Sequence, residues 1–172
     1  GDGGMPYVIV GNLPYYIGTA IVRKFLTSKL RPERLVVMLQ AEVAERMTAQ
    51  PGDMSYLAAS TQLYAEARLL FRIPAKAFRP PPKVQSAVVR LDVRDSPDVE
   101  VDSQAAFLEL MQAGFAAPRK RLRNSLAVGL RIESAGAGEL LAEAGVDPDQ
   151  RPAMLSLETW RDVYFAWRRR AS

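Results

Sequence analysis

Apolar and polar positions follow two different periods along this chain, and the changes between them mark its elements. Tyr7-Val8-Ile9-Val10 is a short β-branched run without a polar break, the pattern of a buried strand. It leads into Gly11-Asn12-Leu13-Pro14-Tyr15, which is expected to leave the strand because Pro14 has no backbone donor. From Ile17 to Leu30 the period is helical. Ile17, Ile21 and Phe25 form one stripe with Val22, Leu26 and Leu30 beside it, while Arg23, Lys24 and Lys29 lie off it. After an Arg31–Arg34 loop, Leu35-Val36-Val37-Met38-Leu39 is a second continuous apolar run. Strand, helix and strand in this order predict a right-handed parallel βαβ unit. Open sheets of that kind take ligands beyond the carboxyl ends of their strands.

A helix is expected over Gln40–Met47, with Gln40 and Glu42 either facing a ligand or solvated in a first turn that the helix dipole favours. Pro51-Gly52-Asp53 is a turn, and Met54 to Tyr64 reads as a further helix. Ala67–Ile73 and Ala87–Val93 alternate with a period of two and predict an antiparallel pair. The residues joining them include Pro80-Pro81-Pro82, a stiff extended stretch that presents Phe78 and Lys83 in fixed directions. Arg94–Asp98 has the character of a linker, which divides the chain into residues 1–94 and 95–172. Beyond it the pattern is helical throughout: Ser103–Phe115, a basic stretch from Pro118 to Leu126, Gly136–Ala144 with Gly145 as C-cap, and a last helix capped by Ser156. The reading is an α/β part followed by an all-helical part.

Composition narrows the chemistry. The 172 residues contain neither cysteine nor histidine, which removes thiol nucleophiles, disulfides, Ser-His-Asp triads and almost all zinc chemistry from these residues. No apolar run approaches membrane-spanning length, and a cytoplasmic setting is expected. The net charge of +4 suits a polyanionic partner. Much of it is concentrated in Arg119, Lys120, Arg121 and Arg123, which have no acid among them and are followed by Asn124. Such a run is either a solvated helix face or a phosphate contact, and the absence of neighbouring Asp or Glu favours nucleic acid. Arg168-Arg169-Arg170 suits an RNA contact and a helix C-terminus equally well.

The strand end carries the candidate chemistry. An exocyclic amine on a purine is a poor nucleophile because its lone pair is delocalised into the ring. Two acceptors aimed at its hydrogens favour a pyramidal nitrogen, and the Asn12 side-chain oxygen and the Pro14 carbonyl are candidates for them. Tyr15 is a candidate stacking surface for the base, and Phe78 either a second one or a plug for the end of the core.

Four blocks occur in one order: Asn12-Leu13-Pro14-Tyr15; Met38-Leu39-Gln40-Ala41-Glu42-Val43; Phe78-Arg79-Pro80-Pro81-Pro82-Lys83-Val84-Gln85-Ser86-Ala87-Val88-Val89-Arg90-Leu91; and Arg119-Lys120 with Arg123-Asn124-Ser125-Leu126. Together they closely resemble the ribosomal RNA adenine N6,N6-dimethyltransferases of the KsgA/RsmA family. The resemblance covers essentially the whole chain. It implies the C-terminal half of a Rossmann-like, S-adenosylmethionine-dependent methyltransferase sheet, followed by a small all-α domain that binds rRNA. It also implies methyl transfer to N6 of two adjacent adenines near the 3′ end of small-subunit rRNA, in ribosome biogenesis, without a metal. By motif, Asn12, Leu13, Pro14 and Tyr15 are catalytic, with Asn12 between cofactor and target and Tyr15 and Phe78 around the base. Lys83, Arg119, Lys120, Arg121, Arg123 and Asn124 face the RNA.

The family's glycine-rich cofactor loop and its acidic ribose and adenine contacts precede the Asn-Leu-Pro-Tyr strand, and Gly1-Asp2-Gly3-Gly4 has neither their spacing nor a strand before it. The expectation is therefore a partial catalytic domain. Such a chain would bind S-adenosylmethionine poorly or not at all alone, and would fold poorly unless it oligomerised or swapped strands through its exposed strand edge, where a monomer is expected of the full-length family. Two alternatives stand beside this reading: a non-catalytic rRNA-binding or ribosome-assembly module, and the related large-subunit rRNA methyltransferases that confer antibiotic resistance. The triple proline and Ser86–Leu91 favour the small-subunit group.

Overall fold

The computed structural model describes residues 5–171; Gly1–Gly4, expected to be a loop, lie outside them. The elements are β1 (Val8–Asn12), α1 (Gly18–Leu26), β2 (Arg34–Gln40), α2 (Ala41–Met47), α3 (Tyr56–Gln62), β3 (Ala65–Ile73), β4 (Ser86–Val93), α4 (Gln104–Gly114), α5 (Leu122–Leu130), α6 (Ser134–Glu143) and α7 (Leu157–Ala171). The chain falls into two compact units. One comprises Gly1–Thr48 with Thr61–Asp98, the other Ala49–Ser60 with Val99–Ser172. Segment 49–60 joins the helical unit because Gly52 and Met54 both donate their backbone N–H to the Ala153 carbonyl, and Met54, Ala58 and Ala59 are buried.

The first unit is a four-stranded sheet in the order β1-β2-β4-β3. β1 and β2 run parallel, as the strand–helix–strand pattern predicts, and β3 and β4 pair antiparallel. The hairpin's second strand inserts between β2 and β3, antiparallel to both. β1 begins one residue later than expected and runs two residues further. Gly11 and Asn12 still pair with Val37 and Met38, because the missing donor of Pro14 takes effect only after Leu13 N–H has bonded to the Met38 carbonyl. α1 is shorter than expected. Thr27 and Ser28 turn their hydroxyls back onto the Arg23 and Phe25 carbonyls and end the helix at Leu26, leaving Leu30 exposed.

The sheet has one covered and one open face. Leu35, Val37 and Leu39 lie opposite Leu91, Val89 and Ala87, and all six are buried. Gly18 opens α1 so close to this face that a Cβ there would sit 2.6 Å from Leu39 Cδ2. The other face carries Val36, Met38 and Val88, only half buried, and an ion-paired patch in which Asp92 accepts from Arg34 Nε at 2.6 Å and Arg90 Nε at 2.8 Å. Partial burial pushes the Asp92 carboxyl up, and these two guanidiniums outweigh it and hold it below the usual range. β1 forms one edge of the sheet, with Val8 50% and Val10 78% exposed.

In the helical unit Phe107, Leu110, Met111, Leu122, Leu126, Leu140, Leu141, Trp160, Val163 and Tyr164 are buried. α4 and α5 approach closely because Gly129 faces the Ala113 backbone, and Gly114 lies under the Trp160 ring. Ser125, fully buried, donates to the Gly114 carbonyl at 2.6 Å and accepts from Ala117 N–H at 2.9 Å, tying the end of α4 to α5. Both expected caps occur: Ser156 Oγ accepts from Thr159 N–H, and Gly145 takes φ +71° after α6. No strand follows Val93 among the described residues.

Gly129→Ala is expected to destabilise the protein by about 1–3 kcal/mol or more, since the obstructing atoms are backbone and cannot rotate away; thermal unfolding followed by circular dichroism measures it. Val10→Lys, which places a charge on the free apolar edge, is expected to reduce self-association in sedimentation velocity with little change in melting temperature.

Candidate base-binding site and basic surface

The end of β1 is arranged by the backbone ladder. The Tyr7 carbonyl accepts from Glu33 N–H and Leu13 N–H donates to the Met38 carbonyl, so the odd-numbered residues of β1 turn their backbone groups toward β2. Asn12 therefore turns its own toward the free edge, and its side chain shares the open face with Met38, its register partner. Past Leu13 the chain folds over. The Pro14 carbonyl accepts Ile17 N–H at 3.2 Å, which starts α1, and retains its second lone pair. Tyr15 then lies back across the sheet, with its Oη 2.6 Å from Ser86 Oγ at the start of β4. The residues after a short 3-10 turn, Ala75–Ala77, bring Phe78 in with an extended backbone.

These pieces enclose an open cavity of about 400 Å³ lined by Asn12, Leu13, Pro14, Tyr15, Met38, Phe78, Pro80 and Pro82. Five of these residues are the strand-end and aromatic candidates from the sequence. Met38 and the two prolines were not assigned there; the register of β1 on β2 places Met38, and the proline loop supplies its own backbone as a wall. Among the described residues neither the Tyr15 nor the Phe78 ring touches another aromatic ring. The lining contains no Asp, Glu, Lys or Arg. It offers flat apolar walls with acceptor oxygens at one end, a setting for a neutral planar base bearing an amine. It offers no carboxylate for ribose hydroxyls. Lys83 is exposed and lines neither this cavity nor the basic one.

The basic cluster divides in two. Arg119, Lys120, Arg121 and Asn124 line a second open cavity, about 600 Å³, with Ala127, Val128 and Ser134. Arg119 and Lys120 lie in the turn before α5 rather than on a helix, exposed and without an acidic partner among the described residues. The expectation of an unbalanced run is corrected at Arg121 and Arg123. Both pair with Asp149, at 3.4 and 3.0 Å, an acid brought from the loop between α6 and α7. The same loop occupies the helix start, for Leu122 N–H donates to the Gln150 carbonyl and Arg123 N–H to that of Pro148. Asn124 accepts from Ser134 Oγ at 2.7 Å. In the C-terminal triplet, Arg168 pairs with Asp102 and Arg170 with Glu143 and Glu139, so two of the three cations have tertiary partners. The Arg170 guanidinium holds the Glu143 carboxyl below its usual range. No cluster of three or more His, Cys, Asp or Glu suited to a metal ion occurs among the described residues. No helix among them is long and apolar enough to cross a membrane.

Residues 2–164 match the family model described as ribosomal RNA adenine dimethylase. The chain belongs to this family. Ribosomal RNA small subunit methyltransferase A of Dehalococcoides mccartyi (strain CBDB1) is 44% identical over 159 residues, covering 92% of this chain and 55% of that protein. The chain thus spans about half the length of the curated relatives it matches. Its fold is similar to that of a dimethyladenosine transferase from Plasmodium falciparum, with a TM-score of 0.79 at 20% identity, over 99% of this chain and 70% of that one. It is also similar to the 23S rRNA methyltransferase ErmE, with a TM-score of 0.69 at 26% identity, over 96% and 66% of the two chains. The α/β sheet with its helical extension is therefore the methyltransferase architecture of this family.

Asp149→Ala is expected to release both guanidiniums at a stability cost of about 1 kcal/mol or less, because the pairs are half exposed. Urea unfolding in low and high salt measures it, and the difference should shrink as salt screens the pairs.

Proposed function

We propose that this chain is the acceptor-base and RNA-docking portion of an enzyme that dimethylates N6 of two adjacent adenines near the 3′ end of small-subunit rRNA. The observation that carries the reading is the single cavity joining Asn12, Pro14, Tyr15 and Phe78. The 44% identity to a small-subunit rRNA methyltransferase supports that class over the large-subunit one.

In this reading an adenine leaves its stack and enters between Tyr15 and Phe78, whose faces replace the stacking it lost. Asn12 Oδ1 and the remaining Pro14 lone pair accept the two amine hydrogens. They draw the nitrogen toward a pyramidal form with its lone pair free to attack. S-adenosylmethionine, when bound, supplies the methyl group as an electrophile, so the residues here need not provide a strong base. Asn12, at the free edge, is the residue common to donor and acceptor. The rest of the donor site requires groups other than those lining this cavity. Arg119 and Lys120 hold RNA phosphates, with Lys83 and Asn124 as further contacts; Arg121 and Arg123 chiefly hold the loop at Asp149. A cytoplasmic setting and a monomeric complete enzyme belong to the same proposal.

The test is transfer of labelled methyl from S-adenosylmethionine to undimethylated small ribosomal subunits. The isolated chain is expected to bind subunits but transfer little. Joined to a donor-binding half from a family relative it should transfer methyl, and Asn12→Ala should lower that rate about 10²–10³-fold. Transfer by the joined protein that is unaffected by Asn12→Ala would sink the assignment. A non-catalytic binding module predicts retained binding with no transfer in either form. Arg119→Ala and Lys120→Ala are each expected to weaken RNA binding and to lower the salt dependence by about one charge, unlike Arg123→Ala.

A further inference from the structure

Tyr15 leaves the β1 strand end on a loop, and its ring is joined to the backbone through two rotatable bonds. A ring held only there would swing, and the wall it offers to a base would be ordered only on binding. Here its far end is also held. Its Oη lies 2.6 Å from Ser86 Oγ, and Ser86 is 0% exposed while Tyr15 is 37% exposed. Ser86 belongs to the interior of the sheet, paired with Gln40 of β2 on one side and Ile73 of β3 on the other. The ring is therefore fixed at two points, one on the loop and one on a strand secured from both sides.

The same point governs the opposite wall. The loop carrying Phe78, Pro80 and Pro82 ends where β4 begins, and the Gln85 carbonyl next to Ser86 accepts from Ala41 N–H at 2.9 Å. The start of β4 thus anchors the loop that bears one wall and grips the ring that forms the other. We infer that Ser86 is a positioning residue for base recognition, setting the orientation of Tyr15 and its spacing from Phe78 before an adenine arrives. The inference rests on the base-stacking reading above. Its advantage is preorganisation, because ordering the ring beforehand removes that entropic loss from the binding step. A small hydroxyl suits the place, being short enough to stay within the sheet surface and able to donate or accept.

The probe is a short single-stranded RNA containing one 2-aminopurine, an adenine isomer whose fluorescence is quenched on stacking, titrated into the intact chain. The wild type should quench it and Tyr15→Ala should not. Ser86→Ala and Tyr15→Phe, which remove the same hydrogen bond from opposite ends, should each weaken quenching-coupled binding about 2- to 10-fold. The double variant should be no worse than either single one. Tyr15→Phe leaves Ser86 and the β4 strand unaltered in sequence, so it reads the bond even if Ser86→Ala perturbs packing. Binding unchanged in Ser86→Ala, or weakened there and unchanged in Tyr15→Phe, overturns the positioning role while leaving the base pocket standing. Absence of quenching by the wild type, or quenching that survives Tyr15→Ala, overturns the base-stacking reading and the role of Ser86 together.

Discussion

The two ladders of β2 locate nearly everything in the cavity at the end of β1. On one side its parallel register with β1 sets Asn12 beside Met38; on the other its antiparallel register with β4 sets Ser86 beside Gln40. A slip of one residue in either ladder would turn the side chains to the opposite face and dissolve the site. What opposes the slip is the covered face, where Leu35, Val37 and Leu39 meet Leu91, Val89 and Ala87 in a buried layer that a one-residue shift would turn to solvent. Placing the site thus depends on apolar packing that touches no substrate.

That dependence also explains how an uncharged site can be specific. With no ionisable Asp, Glu, Lys or Arg in the lining, discrimination has to come from shape and from the direction of a few acceptors. Oxygens of Asn12 and Pro14 are useful only at defined angles, and flat walls are useful only at a defined separation. Both demands are met by short loops tied at each end to the sheet: Leu13 to Met38 and Pro14 to Ile17 on one side, Gln85 to Ala41 on the other. The open face and the free β1 edge are the reverse of this order. There Val8 and Val10 remain exposed, and among the described residues β1 pairs with β2 alone.

The helical unit handles charge by a similar division between holding and presenting. Asp149 engages Arg121 and Arg123, and the carbonyls of Pro148 and Gln150 occupy the first donors of α5, so this end of the helix is committed to its own loop. Arg119 and Lys120, in the preceding turn, are exposed and without an acidic partner among the described residues. The C-terminal arginines follow the holding pattern at two positions, Arg168 and Arg170, through Asp102, Glu139 and Glu143.

What the sequence determined by itself were the features written within a few residues. The Asn12–Tyr15 strand end, the parallel β1–β2 unit, the β3–β4 hairpin, the caps at Ser156 and Gly145 and the helical character after Val93 all follow from periodicity and from the backbone limits of proline and glycine. The cluster of family motifs was legible for the same reason, since each block is continuous in the chain. Tertiary structure decided the rest. That Phe78 and Met38 line one cavity with Tyr15, and that Tyr15 Oη meets the Ser86 hydroxyl far later in the chain, depends on strand order and register, which no local period encodes. The charge balance of Arg121 and Arg123 depended on Asp149, which the loop between α6 and α7 brings back to the start of α5. Even the ends of β1 and α1 were settled by partners: one strand ran on while β2 could still bond to it, and one helix stopped where two hydroxyls took its carbonyls.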